Sequence, residues 1–401
     1  MRILLPNHFP LEGSGSGIYT QNVARELVKK GHAAYAITPA HEEQVGFPFE
    51  VESILFTPQG SSRHRQGRLP FNFPCFTTHP LSNTTFADLD AAQRDAYIEA
   101  FKGAVRSAVE TWQPDVIHAQ HLWVTPYAAL QTGVPYVVTA HGTDLMGFRK
   151  YDAWREVALQ GALHAQAVIA ISKQVAADAI DLYGLDEARV HRVMNGFDED
   201  IFKIMDLQPS QVLPTHNVAA IPEVLITFVG KLTHFKGVDV LLDAAAKYEQ
   251  ELGSVATLII GDGELREALE AQAERLELKG IRFLGHQPQA EVAKLLNVAD
   301  LSIVPSRVEP FGLVAVEALA CGTPVVATNE GGLPDFLDKR VGALVDVGDA
   351  AALANAIIRE VRSSAKKRKG SFAAEYAREF FSWSVQVDKM IDIYEQTTAT
   401  I

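Results

Sequence analysis

Cysteine is scarce in this chain: Cys75 and Cys321 are the only two in 401 residues. Two thiols do not make a disulfide framework, and the sequence opens on the strand-like MRILLPNHF with no charged and apolar leader, so a cytoplasmic protein is expected. Long apolar runs are missing as well. None reaches the roughly 18 to 20 residues that a membrane helix needs, so any membrane contact is expected to be weak and peripheral. Positive charge is in deficit, with 36 Lys and Arg against 49 Asp and Glu and a formal net charge of −13. A nucleic-acid partner is therefore not expected, because neutralising phosphates takes a basic surface. The one dense basic run, KKRK at 366–369, reads as the solvated end of a helix, with an anionic membrane or a lipid-linked acceptor as the alternative.

Three cofactor signatures are absent too. The glycines Gly13, Gly15 and Gly17 precede an amphipathic helix, but Ile18 and Thr20 stand where G-x-G-x-x-G needs its last glycine. No acidic residue is clearly placed after the next strand to bind a ribose, so a dinucleotide dehydrogenase is disfavoured. An Asp-x-Asp after a strand would suit a metal-bridged diphosphate, yet the candidates Asp88/Asp90 and Asp198/Asp200 read as solvated caps. His118 and His121 have zinc-like spacing with no carboxylate or cysteine partner nearby, and read instead as strand-end or acceptor-site histidines. Cys321 reads as a small buried helix residue. No metal is expected.

What is present is apolar residue, 47% of the chain, enough for two hydrophobic cores. The first half alternates short strands (RILLP, AAYAIT, PDVIHA, PYVVTA, AVIAIS, RVHRVMN) with helical patterns, as a parallel α/β sheet does. Between about 38 and 114 the rhythm weakens into what looks like an irregular insertion, followed by a helix near 89–111. A helix-poor stretch, 203–223, reads as a linker. The second run then holds VLITFVG, ATLIIGDG, IRFLG, DLSIVPS and TPVVAT, with helices between them. The expected fold class is α/β: two doubly wound, Rossmann-like parallel-sheet domains, 1–202 and 224–381, facing a central cleft. In open parallel sheets, ligands bind beyond the carboxyl ends of the strands.

Those ends carry the chemistry. Glycines at the N-terminal loop let backbone N–H groups approach an anion at a helix start. VGKLTHFKG brings Lys231 and Lys236 to another helix start, where two ammonium groups suit a pyrophosphate gaining charge. GDGE and FLGH place Gly261, Gly263, Gly285 and His286 in strand-end turns whose peptide groups can bond a nucleobase edge. In RVEPFGLVAVEALA, Glu309 precedes a helix that begins near Gly312 to Val314, and Glu317 lies inside it. The amides of Leu313 and Val314 are placed for a phosphate, and Glu309 for sugar hydroxyls. Glu317, on so apolar a helix, is costly to bury without hydrogen-bond donors such as ribose hydroxyls.

The pattern E-P-F-G-L-V-x-x-E-A-x-A-C-G-x-P-V-V-A, with Gly331 and Gly332 just after, resembles the signature of the retaining glycosyltransferases of family GT4, which have the GT-B fold. The resemblance extends to the glycine loop, to HGTD at His141, NGFD at Asn195, VGKLTHFKG, GDGE and a terminal FSWSVQVDKMIDIYEQ. It implies that Glu309, with Pro310, Phe311 and Gly312, holds the donor sugar, and that Glu317 holds the donor ribose. Lys231 and Lys236, with Gly17, Gly312, Leu313 and Val314, would hold the diphosphate. Many members have Arg where Lys231 stands, so a point charge here replaces a bidentate fork. His141 matches the family histidine beside the donor sugar, and with Glu309 and Lys236 makes the implied catalytic set. The last helix, 382–401, would pack back on the first domain.

The implied function is transfer of a hexosyl group from a nucleoside diphosphate sugar to a hydroxyl acceptor, with no cofactor required. The donor is expected to be a UDP-sugar, with GDP- or ADP-sugars as alternatives, and the acceptor a small molecule or a glycan or lipid-linked one. A non-catalytic nucleotide-sugar-binding protein, a GT-B phosphorylase and a nucleotide-sugar epimerase are the competing functions. The residues set neither the acceptor nor the oligomeric state.

Overall fold

A computed structural model describes residues 1–58, 60, 67–77, 79–216 and 221–399. Its contacts divide the chain into two compact units, Met1–Met194 with Gln386–Ile401, and Asn195–Val385. The first is built on a parallel sheet of β1 (Arg2–Pro6), β2 (Ala33–Ala40), β3 (Glu50–Leu55), β4 (Val116–Gln120), β5 (Tyr136–Ala140), β6 (Ala167–Ala170) and β7 (Val190–Arg192), in the order β3-β2-β1-β4-β5-β6-β7. The central strands are mostly apolar because helices cover both faces, and β1, β4, β5 and β6 bury nearly every side chain, the polar His118, Gln120 and Thr139 included.

The stretch from 38 to 114 is more regular than its sequence suggests. It holds β3, paired in parallel with β2 from Tyr35 opposite Glu50 to Ala40 opposite Leu55. This is an edge strand, half-buried, and its Glu50 and Glu52 disguise it: they accept from Trp112 Nε1 at 3.0 Å and Tyr35 Oη at 2.8 Å. The following helix, Ala91–Trp112, starts at Asp90, which caps it in a reciprocal capping box with Gln93.

The second unit repeats the plan with β8 (Val224–Val229), β9 (Val255–Ile260), β10 (Ile281–Gly285), β11 (Leu301–Val304), β12 (Val325–Thr328) and β13 (Gly342–Val345), in the order β10-β9-β8-β11-β12-β13. Its core is one cluster that includes Phe228, Leu241, Tyr248, Ile259, Ile303 and Ile357. The short β13 has only the four residues GALV to announce it. Gly342 lets it lie against β12, since a Cβ there would come within 1.8 Å of Val325 O. The stretch 203–223 belongs to this unit and carries a short helix, Pro209–Val212, and a 3-10 turn, Leu213–His216.

In each sheet the strand order reverses beside the first strand, between β1 and β4 and between β8 and β11. The loops after those strands diverge there and leave a crevice, where open α/β sheets bind ligands. The last helix, Trp383–Ala399, belongs from Gln386 onward to the first unit, where Tyr394 Oη bonds His118 Nδ1 at 2.6 Å and Lys30 pairs with Asp388 at 2.8 Å.

Candidate functional site

In the second unit the reversal point is formed by the loop after β8, carrying Lys231 and Lys236, and the loop after β11, carrying Glu309. Lys236 Nζ lies 2.6 Å from Glu309 Oε2, which also accepts from Ser306 Oγ at 3.0 Å. The two loops are bolted together by a residue the sequence did not single out. Arg307 forks onto Asp239 at 2.8 and 2.6 Å and reaches His234 O at 3.0 Å, while its backbone N–H donates to Phe235 O at 2.7 Å. Gly237, with φ +65°, is pressed against the other loop, and a Cβ would meet Pro305 O at 2.0 Å. Lys231 is exposed and makes no ion pair among the described residues.

Glu309 is 6% exposed, and its backbone is clamped from behind. Gly332 N–H donates to Glu309 O at 3.0 Å, and Gly331 lies so close that a Cβ would stand 1.9 Å from that oxygen. The chain then turns at Gly312, φ +100°, into the helix Leu313–Ala320. Intrahelical bonding begins with Ala315 N–H, and the Leu313 and Val314 amides have no hydrogen-bond partner among the described residues. They face the crevice end of the helix with its favourable field for an anion. Phe311 is placed differently from the sugar contact expected of it: it is 2% exposed and packs on Phe336 at 5.3 Å.

Glu317 sits one turn further in, 7% exposed, with no side-chain hydrogen bond among the described residues. Burial, and secondarily the nearby Asp198, push its carboxyl up to about 8. A carboxyl sealed into an apolar helix without donors stays protonated at neutral pH, and is primed to meet hydroxyl groups.

The strand-end glycines expected to read a nucleobase are largely committed to each other. Gly261 N–H donates to Gly285 O at 2.9 Å, Gly263 N–H to Asp262 Oδ1 at 2.8 Å, and a Cβ on Gly261 would stand 1.9 Å from Gly230 O. Their small size serves loop packing, and Gly285 and His286 remain as the part of the set at the β10 end.

In the first unit His141 follows β5 and is 9% exposed. Its Nε2 lies 2.9 Å from Gln120 Oε1, and its backbone N–H donates to Asp144 Oδ1 at 3.1 Å. Burial pushes the imidazole down to about 3, so it is neutral. Gly17 has no free amide to offer: it lies in the first turn of helix Gly15–Lys29, and its N–H donates to the capping Ser14 Oγ at 3.0 Å. It is glycine because Pro10 O passes within 2.0 Å of where a Cβ would be.

Known proteins share both halves of this arrangement. The model for Glycosyltransferase Family 4 matches residues 13–201, and that for Glycosyl transferases group 1 matches 216–379. The D-inositol 3-phosphate glycosyltransferase of Mycobacteroides abscessus is 32% identical over 97% of this chain and 86% of its own. The chain belongs to glycosyltransferase family 4. A glycogen synthase of Mycobacterium tuberculosis is 29% identical over 71% of this chain and 69% of its own. The solved structure of HepE from Anabaena in complex with UDP and glucose superposes with a TM-score of 0.73 at 23% identity, over 99% of this chain and 100% of that one. The fold is therefore GT-B, and the protein is an enzyme that transfers glycosyl groups from a nucleotide sugar.

Several residues of this glycosyltransferase depart from their expected roles. His118 spends both ring nitrogens, on Thr139 Oγ1 and Tyr394 Oη, each at 2.6 Å, and is a core residue. Among the described residues no cluster of His, Cys, Asp or Glu could hold a metal ion, and no helix is long and apolar enough to cross a membrane. The 366–369 run is not simply a solvated helix end. Lys366 is drawn into the unit, donating to Asn297 O at 2.9 Å and Thr323 Oγ1 at 2.6 Å, and burial pulls its ammonium down to about 8. Lys369 pairs with the buried Glu360 at 2.7 Å. Only Lys367 and Arg368 are exposed.

Proposed function

We propose that the enzyme is a retaining hexosyltransferase that carries a hexosyl group from a nucleoside diphosphate sugar to an acceptor hydroxyl without a required metal ion. The observation that carries this is the second unit's reversal point, where Lys236 touches Glu309 beside the open N-terminus of the helix that buries Glu317. Lys231, Lys236 and the Leu313 and Val314 amides would receive the diphosphate, Glu309 the sugar hydroxyls and Glu317 the ribose. In the transfer, the bond from the anomeric carbon to the diphosphate oxygen breaks. The acceptor oxygen bonds that carbon on the same face, and the hydroxyl proton passes to the departing diphosphate. Two ammonium groups and a helix terminus stabilise the charge that develops on the leaving group, the task a divalent cation performs elsewhere. His141 in the first unit would meet a substrate hydroxyl as a neutral imidazole.

The likeness to a protein solved with UDP and glucose supports UDP as the nucleotide, with GDP and ADP as the alternatives to be tested. The names of the relatives point to unlike acceptors, glycogen in one and D-inositol 3-phosphate in another, so the acceptor is proposed only as a hydroxyl on a small molecule or glycan bound by the first unit. A screen of UDP-, GDP- and ADP-hexoses by thermal shift, followed by nucleoside diphosphate release and NMR of the product anomer, tests the proposal. Turnover is expected to survive EDTA and to fall at least about a hundredfold in Glu309→Gln with the melting behaviour intact. Wild-type turnover in Glu309→Gln would remove Glu309 from the sugar site, and an inverted product anomer would refute retention.

A further inference from the structure

Hydrogen bonds around the carboxyl ends of β4 and β5 determine which ring nitrogen of His141 carries its proton. Gln120 ends β4, is fully buried, and donates its amide Nε2 to the backbone carbonyl of His118 at 3.1 Å. A carbonyl oxygen only accepts, so the NH2 end of the Gln120 side chain is fixed on that contact and its Oε1 faces the other way. That Oε1 is the atom 2.9 Å from His141 Nε2. It too only accepts, so Nε2 is the nitrogen with the hydrogen.

The support behind this contact is continuous. Gln120 O accepts from Thr125 Oγ1 at 2.6 Å, and Gln120 pairs across the sheet with Thr139 of β5. The ring of His141 is boxed by Tyr19, edge-on at 4.9 Å and 90°, and by His121 at 4.6 Å. Its Nδ1 has no hydrogen-bond partner among the described residues. The neutral ring holds a single N–H, at Nε2, so Nδ1 keeps a lone pair. The titratable groups around the ring are Tyr19, His118, His121 and Asp144; burial holds the first three uncharged, and the Asp144 carboxylate oxygens take the backbone N–H groups of Leu122 and His141.

We propose that Gln120 is a positioning residue that holds His141 as its Nε2–H tautomer, so that Nδ1 is offered to the substrate as the acceptor for a hydroxyl. This rests on the reading above that His141 meets a substrate hydroxyl. It adds a direction: the hydroxyl donates and His141 accepts. A neutral glutamine at this place fixes the tautomer without making the imidazole more basic, which a carboxylate partner would do.

Long-range ¹H–¹⁵N spectra of the full chain labelled in histidine test the proposal, with the His141 signals identified by their loss in His141→Gln. The expected pattern is a protonated Nε2 and an unprotonated Nδ1 at neutral pH. The opposite pattern, or fast averaging of the two, overturns the assignment. Gln120→Leu should release the tautomer and lower kcat by about tenfold or more, with a smaller change in donor KM. An unchanged His141 spectrum in that variant overturns the role of Gln120. Gln120→Glu sets an oxygen against His118 O, so in this buried place it takes a proton there and donates, while Oε1 still accepts from His141. It should therefore restore the tautomer, and a folded Gln120→Glu enzyme whose His141 spectrum matches that of Gln120→Leu counts against the proposal. Wild-type turnover in His141→Gln would remove the substrate contact itself, and leaves a distinct signature because the tautomer spectrum does not depend on turnover.

Discussion

Glu317→Gln should make the free protein more stable and its nucleotide affinity worse. Lifting the carboxyl from 4.5 to about 8 means that ionising Glu317 in the folded state costs ~5 kcal/mol more than in the unfolded chain. Its folded value is raised, so the native state holds a proton that the unfolded state has released between those two values. Stability therefore falls as pH rises through that window and is flat on either side. At pH 7 most of the fall has occurred, ~3 kcal/mol. Glutamine has the same shape and no charge to lose. The variant should match wild type near pH 4, melt higher at pH 7 by up to roughly 6 to 12 °C, and reach its full advantage near pH 9. Scanning calorimetry across that range, following the transition of the second unit, reads this directly. Isothermal titration at pH 7 in buffers of different ionisation enthalpy reads the other half. Ribose hydroxyls donating to the carboxylate favour its charged form, so binding of UDP to wild type should release part of a proton, and binding to Glu317→Gln none. A melting difference that does not change with pH, or a variant less stable than wild type at pH 8, would refute the reasoning.

The phosphate and loop assignments have their own tests. Lys236→Ala should weaken binding of the free nucleoside diphosphate by about ten- to a hundredfold in calorimetry, and an unchanged affinity removes Lys236 from the phosphate site. Arg307→Lys cannot make the two-pronged contact with Asp239, so the loops carrying Lys236 and Glu309 should lose their mutual register. Its kcat should fall by about tenfold or more with little change in melting temperature, and wild-type kcat would show that the brace is not needed for turnover.

Much of this fold was written in its apolar runs. β1, β4, β5, β8, β9 and β11 are short, continuous and buried, which is why their sequence stands out. What escaped were the edges. The carboxylates of β3 face partners such as Tyr35 and Trp112 and break its apolar pattern, and β13 is only four residues, starting with glycine. The site divides in a similar way. Glu309, Glu317 and Lys236 are conspicuous because charge and apolar neighbours alternate around them. Arg307 and Gln120 are ordinary letters whose meaning depends on Asp239, 68 positions away, and His141, 21 positions away. The glycines misled most. Gly17, Gly261 and Gly263 looked like open anion or base contacts, yet each is required by a backbone oxygen passing where a Cβ would be.

Apart from the exposed Lys231, the donor half is stored without free charge, and that shapes how binding must work. Lys236 and Glu309 neutralise each other at 2.6 Å, and Glu317 is protonated. A diphosphate arriving at the helix terminus competes for Lys236 and draws it from Glu309. The released carboxylate oxygen then keeps only the Ser306 hydroxyl as a donor, and a buried carboxylate that has lost its charged donor is unfavourable by ~1–3 kcal/mol. Sugar hydroxyls can supply that donor, so the diphosphate and the sugar should bind with positive coupling. A nucleoside diphosphate alone pays the desolvation of Glu309, whereas the complete nucleotide sugar does not. Comparing UDP and the UDP-hexose in wild type and Glu309→Gln checks this. The advantage of the sugar nucleotide should shrink in the variant, whose neutral amide needs no compensation, and UDP itself should bind Glu309→Gln at least as tightly as wild type. Weaker binding of UDP to the variant would mean that Glu309 aids the diphosphate directly, and the exchange of partners would have to be abandoned.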